Sequence, residues 1–410
     1  MRNDSIIKIN RRTIVNIICA AVAFRLVVYV ISFVGMTLFS SAYTLTFSDF
    51  FNNWNRWDGP HYLNIALNGY AGATEFCDTC KAALLNAGIS ANVLENGVHL
   101  FLTFYPLFPW LIRLLHVFVS SPILCAMIIS TACYAAGCVY TYLLIRLDYS
   151  ETVARNTVIL LSLFPFSFFF GSVHTESLFL FVTAAALYYI RSHRWGMAIL
   201  FGSLATMTRS QGLLIGLAAG VEWLMQYRPW DMIKNKNFQK MGAFLLRGLS
   251  LFLMLSGYLV YLLINYTVDG YAFSYVIYQK SHWGMSAQVP WKVVTYLWKN
   301  ATSAQIDPAS RIAMWIPEFL ILPLSIILFV YGIKKLRAFH MAYGISYMLL
   351  TYSLSWLISG GRYTVCCIPL FLAMALVAEK RRWLMPALAC TGAMLQAVYL
   401  TGYLTGKIIM

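Results

Sequence analysis

Charge is what this chain lacks. Of 410 residues only 11% are Asp, Glu, Lys or Arg, and just 15 of them are acidic. A soluble domain carries about a quarter of its residues as charges. Here the shortfall runs the whole length, while 60% of residues are hydrophobic. No soluble core absorbs that much apolar surface, so the bilayer must be the solvent for most of it. Cysteine is also sparse. Seven of the nine (Cys19, Cys125, Cys133, Cys138, Cys366, Cys367 and Cys390) lie in apolar runs as small hydrophobes, which excludes a disulfide scaffold. There is no internal repeat, no low-complexity tract, and no glycine loop ending in Lys-Ser or Lys-Thr that would cradle a nucleotide.

A net charge of +15 invites a nucleic-acid reading. The basic residues form no stripe, however. They come in short bursts between apolar runs, as the positive-inside rule produces, so no nucleic-acid partner is expected. The basic start, Met1 to Arg12, leads into a run from Thr13 to Phe39 that is too long for a signal peptide and is followed by no cleavage pattern. It reads as a retained first span.

The predicted fold class is an all-α polytopic membrane protein of about eleven transmembrane helices, one domain over 1–410. The spans are 13–38, 122–146, 155–170, 176–191, 196–208, 213–227, 243–266, 312–333, 339–358, 363–378 and 383–404. Segment 101–119 is apolar but broken by Pro106 and Pro109, and reads as re-entrant or interfacial. With that choice, 19 of the 30 basic residues fall in short inner segments, which puts the N-terminus inside. Among them are Arg2, Lys8, Arg146, Arg191, Lys334, Arg337 and Arg382. Two large outer loops remain, 39–100 and 267–311.

Five polar clusters then fall on the outer side: Asn55 to Tyr62, Ser172 to Ser177, Thr208 to Gly212, Gln279 to Trp283 and Ser359 to Tyr363. Asp58, between Trp57 and Tyr62, could take the proton of an attacking hydroxyl; alternatively it pairs with Arg56 or caps a helix. His174 and Glu176 sit where a turn becomes a helix. They either contact substrate hydroxyls and support a base, or Thr175 caps the helix and Glu176 sits in its first turn for the dipole. Arg209 and Arg362 are natural phosphate ligands, with lipid-headgroup snorkelling as the alternative. Gly360 and Gly361 would let backbone N–H groups approach an anion. Arg56, Trp57, His61, Tyr62, His174, Gln211, Gln279, Trp283 and Tyr363 complete the candidate substrate contacts. Cys77-Asp78-Thr79-Cys80 lacks a second ligand pair, so a local disulfide or two idle thiols outweighs zinc. No metal site is expected.

Arg56-Trp57-Asp58-Gly59-Pro60-His61-Tyr62 with Gly69-Tyr70, Phe104 to Pro109, Thr175-Glu176-Ser177, Thr208 to Gly212 and Gly361-Arg362-Tyr363 ahead of Pro369-Leu370 occur in an order that resembles the PIG-V mannosyltransferases, a family with bacterial members. The resemblance implies a GT-C glycosyltransferase bundle. It implies an inverting mannosyl transfer from dolichyl- or polyprenyl-phosphate mannose to a lipid-linked glycan at the outer or lumenal face. In eukaryotes that step adds the second, α1,6-linked mannose of the glycosylphosphatidylinositol precursor. No further cofactor is implied, because the lipid-phosphate sugar is itself the donor. Asp58 would be the base, with Glu176 the next carboxylate, and Arg209 and Arg362 would hold the leaving phosphate. The expected setting is a bacterial cell membrane or the endoplasmic reticulum membrane, with membrane lipids and a small membrane subunit as partners. The rival class is a polytopic transporter or flippase, which should show paired halves or mid-helix charges.

Overall fold

The computed structural model describes residues 10–39, 46–381 and 383–406. Arg2 and Lys8 of the basic start, positions 40–45 of the first outer loop, and Arg382 lie outside the described residues. The described chain is helical throughout, apart from two isolated bridges, Glu75 to Val98 and Ala287 to Leu354. Helices cover most of each predicted span, but 155–170 is interrupted at 163–166, 339–358 loses its helix after Thr351, and 363–378 is broken at 365–367. Among the described residues five helices are individually long and apolar enough to cross a membrane.

Length sorts the helices by position. Arg11–Phe39, the continuous rod from Phe238 to Asp269, and Leu384–Leu404 expose Leu, Val and Ile along their flanks, as lipid-facing helices must. The rod's 32 residues span about 48 Å at the α-helical rise, well beyond a ~30 Å hydrocarbon core. Its first turns, with Lys240 and Arg247, therefore reach the headgroup level. By contrast Glu176–Arg191 is buried along its length and sits at the centre. Pro122–Arg146 packs against it so closely that a Cβ on Gly137 would lie 2.9 Å from Leu180. Segment 101–119 contains a ten-residue helix, Leu107–His116, too short to cross upright.

At the end of the bundle that carries the basic loops, charges pair. Arg191 donates to both oxygens of Asp148 at 2.7 Å, Arg337 donates to Asp148 at 2.9 Å, and His193 meets Glu222 at 3.1 Å. The opposite end is capped by the two large loops. Gly59–Gly72, Asp78–Asn86 and Ser274–Ser281 share a small apolar core that includes Leu84, Leu94, Phe101 and Tyr278. Asp269 ties the two loops together, meeting His99 Nδ1 at 2.7 Å and accepting from Tyr278 at 2.9 Å. Cys77 and Cys80 form a disulfide, the first of the two sequence alternatives.

The orientation gives the first prediction. Lys334→Cys should resist an impermeant thiol reagent applied from outside, and Lys299→Cys in the second loop should react with it. The opposite labelling pattern would mean that segment 101–119 crosses the membrane.

Candidate active site

The capped end brings four charged side chains from four distant segments into one chain of contacts. Arg362 Nη1 donates to Asp58 Oδ2 at 2.6 Å, and its Nε donates to Glu176 Oε1 at 2.5 Å. Arg209 Nη1 donates to that same Glu176 oxygen at 2.6 Å and lies 3.4 Å from Thr175 Oγ1. Two acids and two guanidiniums balance, which is how such charges can be buried at all. Both guanidiniums also lie over aromatic faces, Arg209 at 4.8 Å from the Tyr363 centroid and Arg362 at 5.2 Å from that of Phe169. The burial is uneven: Glu176, Arg209 and Arg362 are buried, whereas the Asp58 side chain is 33% exposed. Asp58 is the open end of the chain.

Local sequence explains how Asp58 gets there. It precedes Gly59–Gly72, with Pro60 in the first turn, but its side chain makes no capping bond. Trp57, just before it, adopts a left-handed backbone (φ 57°), a costly conformation for a bulky residue that clusters at functional turns. Gly59 sits close under the Asn55 side chain: a Cβ there would lie 2.4 Å from Asn55 Oδ1, so Asn55 would have to turn aside to admit one. Asp58 thus stands at the N-cap position without a capping bond from its side chain, and its ion-pair partner is Arg362, not Arg56. Arg56 is engaged elsewhere. It donates to the Leu404 carbonyl at 2.6 Å and to Asn53, tying the turn to the last helix.

Burial pushes the Asp58 pKa up, and the Arg362 guanidinium more than offsets this, holding the carboxyl below the ordinary range. His174 is buried, and desolvation, with Arg362 nearby, pushes it down to about 3, so it is neutral. Ser172 gives its hydroxyl proton to the Phe169 carbonyl at 2.9 Å. Its oxygen therefore accepts from His174 Nδ1 at 2.8 Å, which leaves His174 Nε2 a buried acceptor without a partner. Thr175 stands at the N-cap but forms no side-chain cap, while Glu176 does lie in the first turn of the helix, as the structural reading of that turn had it.

Other candidates sit around this chain. His61 lies against Phe101 and Phe104 (centroids 5.0 and 5.1 Å apart), Tyr62 meets Phe104 edge-on at 5.2 Å, and Trp283 meets it at 6.0 Å. An aromatic wall thus runs from the second loop to the Asp58 helix. Gln279 lies on Ser274–Ser281, where its carbonyl accepts from Met285. Gln211 is buried beside Arg209, with Ser210 donating to its side chain at 3.4 Å.

One expectation is corrected. The Gly361 N–H does approach an anion-type group, but that group belongs to the protein: Glu318 Oε1 accepts it at 3.0 Å. Sequence reading passed over Glu318. The available signal was an acid standing without a nearby cation in the apolar run Trp315-Ile316-Pro317-Glu318-Phe319-Leu320.

No family model and no curated protein matches the chain. Among solved structures it is similar to ArnT from Cupriavidus metallidurans bound to undecaprenyl phosphate. That likeness has 12% identity and a TM-score of 0.47, covering 85% of this chain and 75% of that one. The apo state of the same protein gives 14% identity and the same score. The apo oligosaccharyltransferase from Archaeoglobus fulgidus gives 11% identity and a TM-score of 0.45, covering 98% of this chain and 57% of that one. Likenesses of this size carry no argument about chemistry, and membership of the PIG-V family stays an expectation from the motifs.

Proposed function

We propose that the chain is a membrane glycosyltransferase of the GT-C type. It moves a hexose, mannose by the motif resemblance, from a polyprenyl- or dolichyl-phosphate donor to a hydroxyl of a lipid-linked glycan at the outer or lumenal face. The observation that carries this reading is the partly exposed Asp58 carboxylate at the end of a buried chain holding two guanidiniums. Arg362 contacts both Asp58 and Glu176, and Arg209 contacts Glu176, so in this reading the base and the groups that would hold the phosphate are in direct contact.

The step balances in atoms and charge. The acceptor oxygen bonds the anomeric carbon from the face opposite the phosphate, and the bond from that carbon to the phosphate oxygen breaks. The hydroxyl proton passes to Asp58, and the lipid phosphate leaves with one more negative charge. Among the described residues Arg209 Nε and Nη2 and Arg362 Nη2 have no partner, so both guanidiniums can meet the phosphate while keeping Glu176. The two events support each other. As Asp58 takes a proton its hold on Arg362 weakens, and that cation turns to the charge growing on the leaving group, the kind of term that usually dominates catalysis. Conversely, a donor phosphate that draws on Arg362 relaxes the constraint on Asp58 and makes it a better base.

Mass analysis of lipid-linked glycans tests the reading. Cells lacking the chain should accumulate a glycan one hexose lighter, and purified protein supplied with polyprenyl-phosphate mannose should complete it and release polyprenyl phosphate. Movement of labelled lipid across proteoliposomes with no sugar transferred would overturn it in favour of a flippase.

A further inference from the structure

Glu318 takes no part in the chain of four charges, yet it is buried in the Ile316–Gly332 helix beside it. Its Oε1 accepts the Gly361 N–H, its Oε2 has no hydrogen-bond partner, and among the described residues no cation pairs with it. The two glycines are there to admit it and its neighbour. A Cβ on Gly360 would lie 2.2 Å from Glu318 Oε2, and one on Gly361 would lie 2.5 Å from the Phe166 ring. The backbone on either side is pinned as well. Tyr347 donates to the Tyr363 carbonyl at 2.8 Å, and Tyr352 donates to the carbonyl of Glu318 itself at 2.8 Å. The residue enclosed by these bonds is Arg362, whose guanidinium must reach Asp58 and Glu176 on two separate segments at 2.6 and 2.5 Å.

We infer that Glu318 is a positioning residue: it fixes the Gly360-Gly361 turn so that Arg362 reaches Asp58 and Glu176 together. The role rests on the function proposed above. It works through the acceptor oxygen and not through charge, since an uncompensated carboxylate charge there would cost several kcal/mol, about the price of any unpaired buried ion. An oxygen that accepts the Gly361 N–H satisfies a donor that would otherwise be orphaned. Arg362 makes two bonds with little slack, so releasing its turn shifts the clamp by a fraction of its own bond length or more. A misplacement of about 1 Å at a reacting centre costs on the order of 10²-fold in rate.

Glu318→Gln and Glu318→Leu, in the full purified chain in lipid nanodiscs, separate the outcomes. Glu318→Gln keeps an acceptor oxygen, and it should retain slow hydrogen exchange at Gly361 and turnover within about threefold of wild type. Glu318→Leu keeps the bulk and loses the acceptor. Exchange at Gly361 should rise at least about tenfold, and kcat for transfer from polyprenyl-phosphate mannose should fall about 10²-fold with little change in donor KM. Wild-type exchange in Glu318→Leu would overturn the inference, as would Glu318→Gln being as impaired as Glu318→Leu, because charge would then be what matters. The exchange arm needs no substrate. If no protein, wild type included, transfers sugar, the functional reading falls, while exchange still decides whether Glu318 fixes the Gly360-Gly361 turn.

Discussion

Purified Asp58→Asn protein is expected to turn over about 10²–10⁴-fold more slowly than wild type, a barrier rise of roughly 3 to 5 kcal/mol, while accumulating normally in the membrane. Asparagine keeps the size of aspartate and can still accept from Arg362, so the turn after Trp57 should persist. What it loses is basicity. The pH profile sharpens the test. Arg362 holds the Asp58 carboxyl below its ordinary range, so the base stays unprotonated as pH falls through the range where a free carboxylate begins to titrate. Wild-type kcat/KM should therefore stay level through the acid range in which an ordinary aspartate begins to protonate and decline only at lower pH, and the residual rate of the variant should lack that decline. Arg56→Gln is the control. Arg56 is bonded to Leu404 and Asn53, so its loss should loosen the turn without abolishing proton transfer. Wild-type turnover by Asp58→Asn would remove the base assignment and pass the role to another group at this end of the bundle.

Glu176→Gln should fail in a different way, through folding. Glu176 Oε1 receives both Arg209 and Arg362, and all three side chains are buried. Removing its charge leaves two guanidiniums against one partly exposed carboxylate. Breaking a buried pair from one side typically costs about 3–5 kcal/mol, much of the stability of a whole domain. The expected result is poor accumulation and a markedly lower melting temperature in detergent. Pairing it with Arg209→Met restores the charge balance and should recover accumulation without recovering transfer. A Glu176→Gln protein that accumulates and melts like wild type yet transfers no sugar would make Glu176 a participant in the chemistry, not the anchor of the clamp.

The bilayer made the outline legible. Long apolar runs with basic punctuation locate helices because lipid forces every backbone group into a helix. Even the awkward segment around Pro106 and Pro109 showed its short helix through its prolines. The polar residues were legible too, since Asp58, Glu176, Arg209 and Arg362 stand out against so apolar a background. Their pairing was not. Arg56 lies two residues from Asp58 in sequence and is its obvious partner, but the actual partner is 304 residues away. Nothing in local spacing encodes a contact that arises only when separate helices pack. Glu318 was missed for a related reason. A single acid inside an apolar run has no pattern, and its meaning comes from Gly360 and Gly361, which sit on another helix and were read as room for a ligand.

The tie between Arg56 and Leu404 has a consequence for how the protein is made. The loop carrying Asp58 is held to the last helix by bonds spanning 348 and 349 residues, Arg56 to the Leu404 carbonyl and Tyr403 to the Trp54 carbonyl. At about 5–20 residues per second, a ribosome needs on the order of tens of seconds to pass from one to the other. Through that interval the Asp58 turn is outside the membrane without the helix that braces it, and for most of it without Arg362. A chain cut short before its final helix would carry Asp58, Arg209 and Arg362 but not the brace on the Asp58 turn, so full activity should appear only as the last span inserts.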